Sequence, residues 1–264
     1  MPDTIKMSYE EHTAIITIDN PPANTWTVAN LNRLRDCVLE LNENPEVVAL
    51  IIASASNKFF SAGADLKLFE GASREQAREM AEAFGQAFET LTDFKGVSIA
   101  AINGYAMGGG LEVALACDFR IAEKQAVMAL PEAGVGLLPC AGGTQNLTWL
   151  VGEAWAKLMI LCGEKLDANS ALAIGLVEDV VGRGKSLGAA RELARKVTQQ
   201  SPDAVMACKS LIQSNRSYSR PVYATERDMF VDLFSGSNQN EGVKAFLEKR
   251  KPEWKYKAER GLSS

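Results

Sequence analysis

Residues 103–118, Asn-Gly-Tyr-Ala-Met-Gly-Gly-Gly-Leu-Glu-Val-Ala-Leu-Ala-Cys-Asp (NGYAMGGGLEVALACD), decide how this chain is read. They follow 97–102 (VSIAAI), an apolar run of the length of a buried strand, and pass through three consecutive glycines into helical spacing from about 110 to 117. Glycine lets a ligand approach the main chain closely, and a helix starting just beyond it adds unpaired amides that favour negative charge. Glu112 stands two residues after the last of these glycines, and a second carboxylate, Glu132, follows in Leu130-Pro131-Glu132. If the fold brings both to one cleft, they are a candidate acid and base beside N–H groups able to hold a developing negative oxygen.

A glycine run at a helix start serves packing as often as binding. A second such loop, FFSAGADLK at 59–67, leaves another predicted strand at 47–53. Further out, 14–19 (AIITID) reads as a buried strand ended by Asn20-Pro21-Pro22, and 27–43 as a helix with Val28, Leu31, Leu34, Val38 and Leu41 on one side. Ser73 with Gln76 forms a capping box for a helix to about 92. Beyond the 104–110 loop come short strands near 119–122 and 127–129, a glycine- and proline-rich 131–143, helices near 146–161 and 168–174, and a strand at 176–181. This alternation predicts an α/β fold with right-handed crossovers. From 186 onward the spacing is helical, at 187–200, 202–215, 222–235 and 239–249, so the chain divides into an α/β core, 1–185, and a helical C-terminal region, 186–264.

With 264 residues, 47% hydrophobic and 23% charged, the chain can bury a large core and still cover its surface. A net charge of −5 supplies no broad field for nucleic acid or acidic lipid. The N-terminus has no apolar segment of the secretory kind, and no apolar run approaches the roughly 20 residues of a membrane span. The five cysteines include no Cys-x-x-Cys pair, which argues against a disulfide framework or a zinc site and fits a reducing cytoplasm. His12, in a polar turn, is the whole imidazole inventory, so proton transfer falls to carboxylates. Gly184-Lys185-Ser186 imitates the end of a phosphate loop, but Asp179 stands where that motif needs its first glycine, and no Gly-x-Gly-x-x-Gly follows the first strand.

Taken together, FSAGADLK, INGYAMGGGLEVALACD and LPEAGVGLLPCAGGTQ, in this order and at these separations, resemble the enoyl-CoA hydratase/isomerase, or crotonase, superfamily. The resemblance extends through ANSALAIGLVEDV to the C-terminal EGVKAFLEKRKPEW. It implies a spiral of strand-strand-helix turns with a C-terminal helical trimerisation region, assembled as a homotrimer or a dimer of trimers. It implies that the amides of Ala64 and Gly109 form an oxyanion hole for a thioester carbonyl, with Glu112 as the base that deprotonates water and Glu132 as the acid that protonates the α-carbon. Lys58, Ala62, Asp65, Leu66, Lys67 and Gly108 match substrate and CoA positions, while Phe246 and Lys249 are expected to reach a neighbouring subunit's site.

The implied activity is syn hydration of 2-enoyl-CoA thioesters in fatty-acid or branched-chain degradation, with no metal and no cofactor beyond the coenzyme A of the substrate. A double-bond isomerase needing one carboxylate, and a non-catalytic acyl-CoA binder, are the alternatives. Met107, Phe69, Phe84, Leu137 and Trp149 are candidates for the acyl pocket. One departure stands out: Cys140 occupies a position where the family pattern usually has glycine.

Overall fold

A computed structural model describes residues 4–214 and 219–255. Strands β1 (Ile5–Glu10) and β2 (Thr13–Ile18) form an antiparallel hairpin, after which the chain repeats one unit: a strand in a main sheet, a shorter strand on a ledge beside it, and a helix. The first unit joins β2 to β3 (Thr25–Trp26) and α1 (Val28–Asn42), and the second runs β4 (Ala49–Ser54), β5 (Phe59–Ser61), β6 (Gly63–Ala64) and α2 (Arg74–Thr92). The third is β7 (Val97–Ile102), β8 (Tyr105–Met107) and α3 (Gly109–Leu115); the fourth is β9 (Phe119–Glu123), β10 (Val127–Ala129) and α4 (Gly143–Leu161). Strand β11 (Leu166–Asp167), α5 (Ala168–Ala173) and β12 (Asp179–Val181) lead to α6 (Ser186–Thr198), α7 (Pro202–Ser214), α8 (Ser219–Leu233) and α9 (Ser237–Leu247). The main sheet has the order β1-β2-β4-β7-β9-β12, parallel except for β1, and the ledge sheet has the order β11-β10-β8-β5.

The period of two in β4 and β7 sorts the core into two layers. Leu50, Ile52, Ala100 and Ile102 face the large core shared with α1 and α2, whereas Ile51, Ile99, Ala101 and Ile121 face Ala190 and Ala194 of α6. Parallel strands buried on both faces read as continuous apolar runs, which is why these two were legible. Helix α6 therefore packs on the sheet itself, so the helical region after 185 shares its core with the strands. The Ser73–Gln76 capping box opens α2 as expected, and Thr27 with Asn30 forms a second one at α1.

Several expectations are corrected. The two glycine loops are not wholly irregular, since β5, β6 and β8 run within them. The strand expected at 176–181 is confined to Asp179–Val181, because Leu176 instead closes the end of α5 through its amide to Ala171. Helix α4 begins earlier than 146 and is broken at Gly152, whose φ of 77° no helix accommodates. Strand β1 was not anticipated at all. The expected helix end at residue 215 and the ends of the chain, 1–3 and 256–264, lie outside the described residues. Among the described residues no helix is long and apolar enough to cross a membrane.

Candidate active site

A cavity of about 580 Å³ opens between the ledge strands, the start of α3 and the C-terminal helices α8 and α9. Its catalytic wall begins at the glycine run. Gly108 caps α3 with φ 54° and ψ −127°, a backbone state that side chains with a Cβ avoid, and a Cβ there would meet a Glu132 carboxyl oxygen at 3.0 Å. At Gly110 a Cβ would stand 2.1 Å from the Ser61 carbonyl, so the helix can press its first turn onto β5 only because the position is glycine. That close approach points Glu112 inward from α3, where it is 2% exposed.

Glu112 is held by main-chain donors. Its Oε1 accepts hydrogen bonds from the amides of Ala141 (2.9 Å) and Gly143 (3.0 Å), in the turn that starts α4. Burial pushes the Glu112 carboxyl well above the usual range, helped by the charges of Glu132 and Glu226 and opposed by those two amides. Glu132 opens a single 3-10 turn, Glu132–Val135, and both its carboxyl oxygens are buried without accepting a hydrogen bond from another residue. Burial above all, with the Glu226 charge added, raises Glu132 to about 8. The two environments differ in kind: main-chain amides oppose the effect of burial on Glu112, whereas Glu132 lacks such donors and, raised to about 8, keeps its proton at neutral pH.

Two amides face the same space. Gly109 is the first residue of α3, so its N–H has no partner within the helix. In β6 the Asp65 amide turns to the Trp26 carbonyl of β3 (3.4 Å), so alternation along the strand turns the preceding amide, that of Ala64, to the opposite edge, and Ala64 lines the cavity. The two segments touch, since a Cβ on Gly63 would lie 3.2 Å from the Gly109 nitrogen.

The structure brings Ala62, Ala64, Asp65, Leu66, Lys67, Gly108, Gly109, Glu112 and Glu132 to this one cavity. Asp65 also caps the turn that carries Leu66 and Lys67, accepting from the Lys67 amide at 3.2 Å. Lys58 and Lys249 are not among its lining residues; the Lys58 ammonium lies 5.3 Å from the centre of the Phe59 ring. Phe246 sits on the wall of its own chain's cavity. Of the acyl-pocket candidates, Phe69, Phe84, Met107 and Leu137 line the cavity, while Trp149 does not and is 40% exposed on α4.

Cys140 lines the cavity as a buried thiol pushed well above its usual range by burial and the three nearby glutamates, so it is protonated and a poor nucleophile. Among the described residues no group of three or more His, Cys, Asp or Glu is arranged to hold a metal ion.

The sequence reading misses Phe230 and Glu226 of α8. Phe230 lines the cavity and stacks edge-on with Phe69 at 5.8 Å. Glu226, 5% exposed, accepts hydrogen bonds from the turn that also holds Glu112. The signal was present: Glu226 lies on the Tyr223–Phe230 stripe of an amphipathic helix, a carboxylate at a core position.

A family model described as enoyl-CoA hydratase/isomerase matches residues 9–257. A probable enoyl-CoA hydratase of Bacillus subtilis is 38% identical over 256 residues, covering 96% of this chain and 99% of the relative. A short-chain-enoyl-CoA hydratase of Clostridium acetobutylicum is 35% identical over 255 residues, covering 95% of this chain and 97% of the relative. The solved structure of Pseudomonas aeruginosa DspI is 58% identical, with a TM-score of 0.79 over 96% of this chain and 97% of that one. With the spiral of strand-strand-helix units and the paired carboxylates already in place, these matches show that the chain belongs to the enoyl-CoA hydratase/isomerase family, as an enzyme of the hydratase type.

Proposed function

We propose that the protein adds water syn across the 2,3 double bond of 2-enoyl-CoA thioesters to give 3-hydroxyacyl-CoA. The observation that carries this reading is the meeting of Glu112, Glu132, Ala64 and Gly109 at one apolar cavity. The thioester oxygen accepts hydrogen bonds from the two amides. Glu112 removes a proton from water as its oxygen bonds to C3, and the π electrons move through C2 onto the thioester oxygen. As that charge returns, C2 takes the proton from Glu132. One proton has then passed from Glu132 to Glu112, and its return resets the site. Each fixed amide donor is worth about 2.7–4 kcal/mol to the charged intermediate. Coenzyme A arrives as part of the substrate, so the mechanism calls on no separate cofactor.

Two carboxyl groups at one cavity, one held by main-chain amides and one without such donors, favour hydration over double-bond isomerisation, which needs one. Leu66, Phe69, Phe84, Leu137 and Phe230 make the wall apolar, in keeping with an acyl chain. The test is loss of the conjugated thioester absorbance of crotonyl-CoA and longer 2-enoyl-CoA esters. Native protein should hydrate at least one of them; Glu112→Gln and Glu132→Gln should each bind the ester yet lose about 10²-fold or more in kcat. Undiminished hydration by Glu132→Gln would remove that carboxyl from the mechanism.

A further inference from the structure

The turn 141–144 is gripped from two sides. Its amides alternate: those of Ala141 and Gly143 donate to Glu112 of α3, while that of Gly142 (2.7 Å) and that of Thr144 (3.2 Å) donate to Glu226 of α8. The Thr144 hydroxyl adds a third donor to Glu226, at 2.6 Å. These amides lie at the N-terminus of α4, where the helix supplies no partner, so the positive end of that helix faces both carboxylates. One turn further along α4, Asn146 accepts from the Tyr223 hydroxyl at 3.2 Å, a second tie to α8. Gly142 has φ 86°, and a Cβ on it would lie 2.9 Å from the Tyr223 ring, so the turn and α8 are fitted to each other.

We propose that Glu226 is a positioning residue for hydration: by holding the Gly142 and Thr144 amides from α8, it keeps the Ala141 and Gly143 amides aimed at Glu112. The inference rests on the hydratase reading and deepens it. Burial raises the Glu226 carboxyl, and the Gly142 and Thr144 donors, all aimed at its oxygens, oppose that rise. Its neighbours are Glu112 from α3, Glu132 from the 3-10 turn, Cys140 beside the turn, and Arg227 of α8 itself, whose guanidinium is engaged with Glu89 of α2. Glu226 in its ionised form also disfavours ionisation of Glu132 and so helps that carboxyl keep its proton.

Glu226→Gln tests both effects, because an amide nitrogen would oppose the N–H of Gly142 or Thr144 and the charge would vanish. With a 2-enoyl-CoA ester that native protein hydrates, kcat should fall about 10- to 100-fold while KM stays within about twofold. The carboxyl resonance of Glu132, followed by carbon NMR with labelled glutamate, should titrate at lower pH than in native protein. That readout needs no turnover: native protein inactive on every ester defeats the hydratase reading, yet a lowered Glu132 titration in Glu226→Gln would still support the clamp. Unchanged kcat with unchanged titration overturns the proposal, as does a fall in kcat matched by an equal rise in KM with the titration unmoved. If Glu226→Gln does not fold, Thr144→Val, which keeps the carboxylate and deletes one donor, should lower kcat several-fold at native KM, and native kcat there overturns it.

Discussion

Replacing Glu132 with glutamine separates its charge from its shape. Burial lifts this carboxyl from 4.5 to about 8, so the folded protein keeps a proton that the unfolded chain has released. With the folded value above the unfolded one, the folded state binds more protons throughout the window between them. The stability that the group contributes is fully present below 4.5 and is lost as pH rises to about 8, after which it is constant. At about 1.4 kcal/mol per pH unit, unfolding free energy should fall by about 4 kcal/mol between about pH 5 and about pH 8 from this residue. Glutamine is neutral in both states and has no such slope. Glu132→Gln should therefore gain on native protein steadily across that range, by about 4 kcal/mol in total. Urea unfolding of both proteins at one fixed concentration, repeated at each pH, measures the difference. Any constant offset between acid and amide cancels in the comparison. Glu112, also raised, adds its own slope to both proteins, and removing its neighbour's charge eases Glu112 in the same direction. Parallel stability curves would refute the reasoning, because they would mean that Glu132 is ionised in the folded protein or solvated as freely as in the unfolded one.

The protonation state of Glu132 shapes turnover: kcat should fall above about pH 8 as it loses its proton, so a flat profile across that upper limb would contradict its assigned role. Gly63→Ala should cost about 1–3 kcal/mol of stability and about 10²-fold in kcat, since the position has φ 85° and its Cβ would meet the Met107 carbonyl at 2.6 Å, parting the Ala64 and Gly109 amides; near-native kinetics would show that the two amides do not act together. Leu211 and Ile212 stand 69% and 65% exposed on α7, which supports self-association through the C-terminal helices, and light scattering should report the mass of three or six chains rather than one.

What could be read in advance follows from how locally each feature is encoded. Strand β7 was bounded correctly because VSIAAI is buried on both faces, and α2 because Ser73 and Gln76 satisfy each other's amides within one turn. The short strands β5, β6 and β8 escaped because two or three residues beside glycine carry no period of their own; they are strands only because neighbouring segments supply partners, β6 pairing with β3 and the other two with each other. Strand β1 escaped for a related reason: after Ile5 its residues are mostly exposed, as an edge strand permits, so the apolar signal is faint.

The active site divides along the same line. Glu112 and the two glycine loops were legible because glycines there, Gly63 and Gly110 among them, permit close backbone approach, whereas Glu132 gained its weight only within the resemblance carried by Leu130-Pro131-Glu132 and its flanks. Glu226 announces itself differently, and the physics of its position explains why it matters. A carboxylate on the buried face of a helix costs several kcal/mol unless donors meet it, and here they come from a turn some eighty residues earlier in the chain. That turn has four amides and two carboxylates to satisfy. Were Glu226 absent, the Gly142 and Thr144 amides would be left without their acceptor, and the turn could recover partners only by rotating its peptide planes, which would swing the Ala141 and Gly143 amides off Glu112. Glu112 is thus tied through one turn of main chain to a helix of the C-terminal region, so that the packing of α8 and the hydrogen bonding of Glu112 rest on the same turn.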